Sequence, residues 1–220
     1  MLLCCGLVVT GCTSVDPAPT DSPLPTPIAS TSPEVQAPAP VDVIELHAED
    51  IRLFAGSDLV MTLPLSDAPT TVAELDKLLG PPITEVVPDD PNGAYCVLPH
   101  TSYEWSGALR IIDMESTDRL SDYEVRILAR TVAAGASTIT LRSAGGVAVG
   151  DDISALENSR PDMVESFDYD GVTHSVLILE PGFADKVLNS DAVFGVAAFS
   201  GNSVVQVIGS PVPIRSTQDC

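Results

Sequence analysis

Beyond the N-terminal fifth of the chain, apolar and polar residues alternate in many short runs, which is the pattern of β-strands with one buried face. Two such runs, at 51–54 and 59–63, are joined by four turn-forming residues and predict a hairpin. The spacing then becomes helical, and Thr70 or Thr71 can cap a helix that ends near Leu79. A hairpin followed by a helix is therefore the first expected unit.

A similar order of elements recurs with an offset of 88 residues, counted from Ile51 to Ile139. A turn, a second apolar run at 147–149 and a short helix capped by Asp151 or Asp152 complete the match. Further strands are predicted at 103–105, 108–112, 123–128, 163–169, 172–179, 193–199 and 203–208.

These elements predict an α+β fold with one or two antiparallel sheets and a few covering helices. The domain would consist of two degenerate hairpin-helix-strands repeats, at 42–131 and 132–220. The alternative is that two ordinary hairpins match by coincidence, because only the pattern repeats and not the residue identities.

The N-terminus carries a short apolar run, residues 2–9, that closes on Val9-Thr10-Gly11-Cys12. This tetrapeptide resembles the lipobox of bacterial lipoproteins, in which small residues precede a cysteine whose thiol carries diacylglycerol. The resemblance implies a signal peptide at 1–11 and a lipid on Cys12. The apolar run is far shorter than the roughly 20 residues that cross a bilayer.

One feature departs from the lipoprotein pattern. No Lys or Arg precedes Arg52, whereas a signal peptide normally opens with positive charge. We expect the true start codon to lie upstream. The alternatives are an uncleaved membrane anchor with a longer N-terminus, or an apolar N-terminus that merely contains a cysteine.

A proline-rich segment follows the lipobox, with eight prolines between residues 13 and 40. Such a composition cannot bury a core and lacks many backbone donors. Residues 12–41 are therefore expected to be the lipidated cysteine and a disordered tether, and 42–220 an extracytoplasmic domain. The tether and the acidity also resemble those of uncharacterised lipoproteins of high-GC Gram-positive bacteria.

The charge of the chain restricts its partners, since 31 acidic residues against 10 basic ones give a formal net charge of −21. This field repels nucleic acid and anionic lipid head groups, so neither is expected as a direct partner. A covalent lipid remains as the means of attachment to the outer face of the cell membrane. The other expected partner is an unknown envelope protein or cell-wall component.

The cysteine count fits this location. If Cys4 and Cys5 leave with the signal peptide and Cys12 takes the lipid, Cys96 and Cys220 remain. Two thiols outside the cytoplasm predict one disulfide, which would close a long loop and contribute on the order of 4 kcal/mol. The alternative is two free cysteines.

Sequence motifs for catalysis are absent. The chain has no Gly-x-Ser-x-Gly, His-Glu-x-x-His or Cys-x-x-Cys, and His47, His100 and His174 are isolated, which favours structural roles. Two acidic stretches, 89–93 and 168–171, lack calcium-loop spacing and predict a loop and a hairpin turn, with a weak calcium site as the alternative. No catalytic residue, metal site or cofactor is expected.

The cluster Tyr103-Glu104-Trp105 is the best candidate for contact with a partner, because amphipathic aromatic residues concentrate at interfaces. The alternative places Trp105 in the core, where tryptophan is usually well buried.

The layout of residues 45–210 resembles the helix-plus-sheet repeat of the outer-membrane assembly lipoprotein and the beta-lactamase inhibitor protein. A helix ending in Leu-Leu-Gly-Pro-Pro at 78–82 leads to an extended stretch with Tyr103, Trp105 and the run 109–111. The second half lacks the Gly-Pro-Pro ending, and no functional residue is transferred from either family.

These features predict a non-catalytic envelope lipoprotein that binds a protein or a cell-wall component through a sheet face. One alternative is a secreted or cell-surface hydrolase with a spatially assembled site around His100 and nearby acids. Another is an adhesion module stabilised by calcium.

Overall fold

The computed structural model of the chain describes residues 40–88, 99–114, 123–184 and 193–213. Four predictions lie outside the described residues: the signal peptide with the lipid on Cys12, all but the last two residues of the tether, the Cys96–Cys220 disulfide and the acidic loop at 89–93.

The strands of the described residues are β1 (Val43–Leu46), β2 (Asp50–Ala55), β3 (Asp58–Pro64), β4 (Ile83–Val87), β5 (His100–Trp105), β6 (Leu109–Met114), β7 (Tyr123–Ile127), β8 (Thr131–Ala134), β9 (Ser137–Ser143), β10 (Val164–Tyr169), β11 (Val172–Ala184), β12 (Val193–Gly201) and β13 (Val204–Pro213). The α-helices are α1 (Ala68–Leu79) and α2 (Ser154–Ser159), and a 3₁₀ turn spans Pro161–Met163.

The strands form two sheets. The five-stranded sheet has the order β3-β2-β1-β9-β8, and the eight-stranded sheet has the order β10-β11-β12-β13-β7-β6-β5-β4. In the described ladders, β1 and β9 pair in parallel and the other pairs are antiparallel. The fold is therefore mostly antiparallel β-sheet and richer in strand than the α+β expectation. Each sheet combines strands from both predicted halves of the domain.

Both sheets contribute alternate residues to one hydrophobic core. In the five-stranded sheet, Ile44 lies between its cross-strand neighbours Leu53 and Leu141, and all three are buried. In the eight-stranded sheet, Leu109 pairs with Ile127, and both side chains are fully buried. Burying one such side chain stabilises the fold by about 1.5–3 kcal/mol, so these rows hold the two sheets together.

Helix α1 is fixed by the residues at its two ends. The Asp67 carboxylate accepts a hydrogen bond from the Thr70 backbone N–H at 3.1 Å, and Gly80, with φ of 85°, ends the helix. Leu75 points into the core and is fully buried. The helix starts at Ala68, before the predicted threonine caps, because the Asp67 carboxylate satisfies one of the free N–H groups of its first turn.

The hairpin predicted at 51–63 is confirmed, since β2 pairs with β3 in antiparallel register. The second predicted hairpin is wrong, because residues 147–149 form no strand. Instead β9 pairs with β8 along one edge and with β1 along the other, so no edge is left for the second run. Asp152 does act at the start of α2, where its Oδ1 accepts from the Ser154 N–H at 2.9 Å.

Candidate functional site

The aromatic residues of β5 face the core. Trp105 is 2% exposed, and its Nε1 donates a hydrogen bond to the Gly80 carbonyl oxygen at 2.8 Å, which joins β5 to the end of α1. Tyr103 is partly buried against the same core. Burial removes Trp105 from the predicted partner contact, because a side chain in this position has no surface to offer.

The outer face of the eight-stranded sheet, which is the face turned away from the core, carries paired charges. Arg110 Nε donates to Glu104 Oε2 at 2.9 Å, and Arg126 Nε donates to Glu124 Oε1 at 2.7 Å. The hydrogen bond that Arg126 donates to Glu124 raises the pKa of Arg126. The two arginines are cross-strand neighbours, and each is neutralised by its own glutamate. A partner contact through Tyr103 and Glu104 stays a prediction.

The histidines lie in three different surroundings. His100 is half-buried at the first position of β5, and His174 lies in β11 with its ring stacked on Phe167, the ring centroids being 5.6 Å apart. Tyr169 is the next ring beyond His174, at 6.4 Å. The third histidine, His47, is the one that contacts two carboxylates.

His47 follows β1, and its side chain is 12% exposed. Its Nδ1 lies 3.4 Å from Glu180 Oε2, and its Nε2 lies 3.5 Å from Glu45 Oε2. Within the described part of the chain, His47 Nε2 and Glu180 Oε2 are buried without a hydrogen-bond partner. Glu45 two residues earlier was a local signal for this site, but Glu180 comes from a distant strand.

Further charges surround this histidine. Arg142 Nε donates to Glu45 Oε1 at 2.8 Å, and Arg52 Nε donates to Asp50 Oδ1 at 2.8 Å, a bond that raises the pKa of Arg52. In the described ranges, no group of three His, Cys, Asp or Glu residues could hold a metal ion. The Arg142–Glu45 ion pair links β9 to β1, and His47 brings Glu180 of β11 close to the same charges.

Glu157 of α2 accepts hydrogen bonds from three serine hydroxyls. Ser203 Oγ lies 2.6 Å from Oε2, Ser200 Oγ lies 3.2 Å from Oε1, and Ser175 also donates to Oε1. A carboxylate beside a serine can act as a general base. Ser175 and Ser200 are only 6% and 2% exposed, so the cluster mainly ties α2 to β11 and β12. The serines are 18 to 46 positions from Glu157, and local sequence spacing gave no signal for them.

The exposed apolar side chains concentrate on edge strands. Each sheet has two edges, formed by β3 and β8 in one and by β4 and β10 in the other. Of nine exposed large hydrophobic side chains in the described ranges, seven lie on three of these edges: Leu59, Val60 and Met61 on β3, Ile83 and Val86 on β4, and Phe167 and Tyr169 on β10. The edges, and not the outer sheet faces, are therefore the candidate functional surface.

The hairpin of β10 and β11 extends beyond the core. Its turn, predicted at 168–171, is confirmed, because Asp170 and Gly171 have φ of 51° and 74°. Asp168 accepts a hydrogen bond from Thr173 Oγ1 at 2.8 Å across the two strands. From Glu165 to the turn every residue of β10 is exposed, so both faces of this edge strand are accessible.

No protein-family model matches the chain, and neither a curated protein nor a solved structure is significantly similar to it. Neither α1 nor α2, the helices of the described residues, has the length and apolar character that crossing a membrane requires.

Proposed function

We propose that this protein is a lipid-anchored, non-catalytic binding module on the outer face of the cell membrane. Its partner is a protein or cell-wall component of the envelope, and its edge strands make the contact. The observation that carries this proposal is that seven of the nine exposed large hydrophobic side chains of the described residues lie on strands at the sheet edges.

An open strand edge presents unpaired backbone N–H and C=O groups, and natural proteins usually cover or charge such edges. Apolar side chains beside these groups are costly in water and favour a partner that adds an extended segment to the sheet. On β3, five consecutive residues from Asp58 to Thr62 are exposed, so neither face of that strand is covered. This exposure supports binding through edges.

The membrane anchor rests on the lipobox-like sequence that ends at Cys12 and on the net charge of −21. Mass spectrometry of the membrane fraction should find an acylated N-terminal Cys12, and Cys12→Ala should release the protein into the medium. An unmodified wild-type protein that is already soluble would contradict the anchor.

Edge binding can be tested in cells with a photo-cross-linking amino acid at Val60, Ile83 or Tyr169. A control is Lys77, whose side chain is 68% exposed on α1 and pairs with Glu74 of the same helix. We expect cross-links from at least one edge position and none from Lys77. Equal cross-linking from Lys77, or none from any edge, would contradict the proposal.

A second candidate is a hydrolase, which the contact of Glu157 with three serine hydroxyls favours. Of these serines, Ser203 is the least buried and the most accessible to a substrate. A fluorophosphonate probe should label the wild type but not Ser203→Ala if the cluster is catalytic. Absence of labelling in the wild type would remove this candidate.

A further inference from the structure

Among the edges of the described sheets, that of β10 is the one with exposed aromatic rings on its strand. Its backbone has no described strand on one side, and the charged groups of the strand are all acidic. The following inference rests on the proposed function and names the edge and the chemistry of its partner.

The aromatic rings form a short row on one face of the hairpin. Phe167 is 55% exposed and pairs in register with His174, and Tyr169 is 72% exposed two residues further along β10. Exposed aromatic faces attract cations and also cover the aliphatic stems of Lys and Arg side chains. Rings at these positions are therefore suited to a basic side chain that lies across them.

The local charge is predominantly acidic. Residues 161–175 include four acids, Asp162, Glu165, Asp168 and Asp170, and no Lys or Arg. The basic residue just before this stretch, Arg160, points its guanidinium at the Leu179 carbonyl oxygen, at 3.5 Å. All four acids are exposed. Because the whole chain also has a net charge of −21, the field at this edge attracts a basic partner and repels an acidic one.

The unpaired backbone groups of this edge favour a peptide over a glycan as the partner. A glycan could stack on aromatic rings, but it would leave the N–H and C=O groups of the strand edge unpaired. An extended peptide pairs with them, and its alternate side chains reach the rings and the acids. We propose that β10 binds an extended, Lys- or Arg-containing segment of an envelope protein as an added strand of the eight-stranded sheet.

A second apolar edge, β3, provides the comparison. It exposes Leu59 to 53%, which is close to the 55% of Phe167, but it contains one acid, Asp58, and its neighbour β2 supplies the ion pair of Arg52 with Asp50. The two edges therefore have similar apolar exposure and different charge and aromatic content. Changes on β3 serve as matched controls for changes on β10.

The probe is a fluorescent octapeptide of alternating Lys and Thr, titrated by anisotropy into the full-length protein in detergent. Analogues with Gln or Glu in place of Lys are the charge controls. We expect the Lys peptide to bind at least about tenfold more tightly than either analogue and to weaken steeply with added salt. Two further analogues carry N-methyl groups on alternate residues, one on the odd positions and one on the even positions. At least one of them should bind about tenfold more weakly, because it has lost the backbone donors that pair with the strand edge.

Variants locate the binding to β10. Glu165→Lys and Phe167→Ser should each weaken the Lys peptide about tenfold, whereas Asp58→Lys and Leu59→Ser should leave it unchanged. Circular dichroism confirms that each variant is folded. Equal loss in the β3 variants, equal binding of the Gln peptide, or indifference to both N-methylated peptides would overturn the inference.

Two outcomes separate this inference from the function on which it rests. If chitotetraose or a soluble peptidoglycan fragment binds and Phe167→Ser abolishes that binding while no peptide binds, the partner is a glycan and the inference is wrong. If no peptide binds but cross-links from Val60 or Ile83 persist in cells, the inference fails and the binding module stands. If no edge position cross-links, both fail.

Discussion

Replacing Trp105 by Phe tests whether this residue is a core element or a surface contact. The substitution keeps an aromatic ring in the core but removes the indole N–H, which donates to the Gly80 carbonyl oxygen at 2.8 Å. It also removes about three ring atoms from a side chain that is 2% exposed. The end of α1 loses its side-chain link to β5, and a small cavity remains.

Two contributions set the expected loss of stability. The lost hydrogen bond accounts for about 1 kcal/mol, the low end of the roughly 1–3 kcal/mol that leaving a buried acceptor unpaired costs. The low value applies because Gly80 is half-buried and water can partly replace the donor. A residual cavity of about 50 Å³ costs roughly 1.2 kcal/mol at about 24 cal/mol per Å³. The free energy of unfolding should therefore fall by about 2 kcal/mol, a large part of the 5–15 kcal/mol typical of a domain.

Urea unfolding monitored by far-ultraviolet circular dichroism measures this change. Tryptophan fluorescence cannot report on the variant, because Trp105 is the only tryptophan of the chain. With a slope of about 2 kcal/mol per molar urea, the midpoint should fall by about 1 M. The matched control is Tyr103→Phe, on the same face of β5, with an expected loss below about 0.5 kcal/mol. A loss for Trp105→Phe no larger than that of the control would refute the core assignment.

Three further predictions concern stability. Glu157→Ala should lower the unfolding free energy by about 2–4 kcal/mol in urea, since Ser203 loses its carboxylate acceptor and Ser175 and Ser200 keep only each other as partners; a loss below about 1 kcal/mol would contradict this role. Gly195→Ala should cost about 3 kcal/mol in thermal unfolding, because its Cβ would lie 2.2 Å from a backbone oxygen. Gly145→Ala, with nothing closer than 3.9 Å, is the near-neutral control. The hydrogen bond from the Ala148 N–H lowers the pKa of Asp151 below 3.8, and the Arg130 side chain adds a smaller lowering. The ionised Asp151 carboxylate therefore stabilises the fold above about pH 4, and this stabilisation is lost as the pH falls through the folded pKa. Wild type and Asp151→Asn should consequently converge in stability at low pH. A stability difference that stays constant with pH would contradict this.

The local elements of the fold could be predicted from the sequence because their signals are local. The β2–β3 hairpin and the turn at Asp170 follow from alternation and from turn-forming residues within a few positions of each other. The end of α1 at Gly80 follows from the freedom of glycine to adopt a positive φ. The predicted start of α1 lies a few residues after the observed one, because both Asp67 and the threonines after it are good caps.

Sheet order could not be predicted in the same way. The parallel pairing of β1 with β9 joins residues almost 100 positions apart, and nothing within either strand specifies that partner. The second hairpin was predicted because 147–149 is apolar and follows a turn, but β8 and β1 already occupy both edges of β9. Alternation indicates that a strand has a buried face, and it does not indicate which strand lies beside it.

The candidate site depends on that missing information. Phe167 and Leu59 look like ordinary strand residues in the sequence, and they are exposed because β10 and β3 lie at the ends of their sheets. His47 resembled an isolated histidine because Glu180 reaches it from β11. By contrast, the burial of Trp105 follows the usual preference of tryptophan for the core, which composition alone indicates.

Open apolar edges and a large negative charge have opposite effects on association. An exposed strand edge can pair with the same edge of another copy, which is the usual route to aggregation. Two copies of this chain would bring a net charge of −21 against −21, so their mutual repulsion opposes pairing at long range. The same field lowers the free energy of approach for a basic segment, and the exposed rings and backbone of β10 then act at short range. Charge therefore selects against self-association and in favour of a basic partner at the same edge.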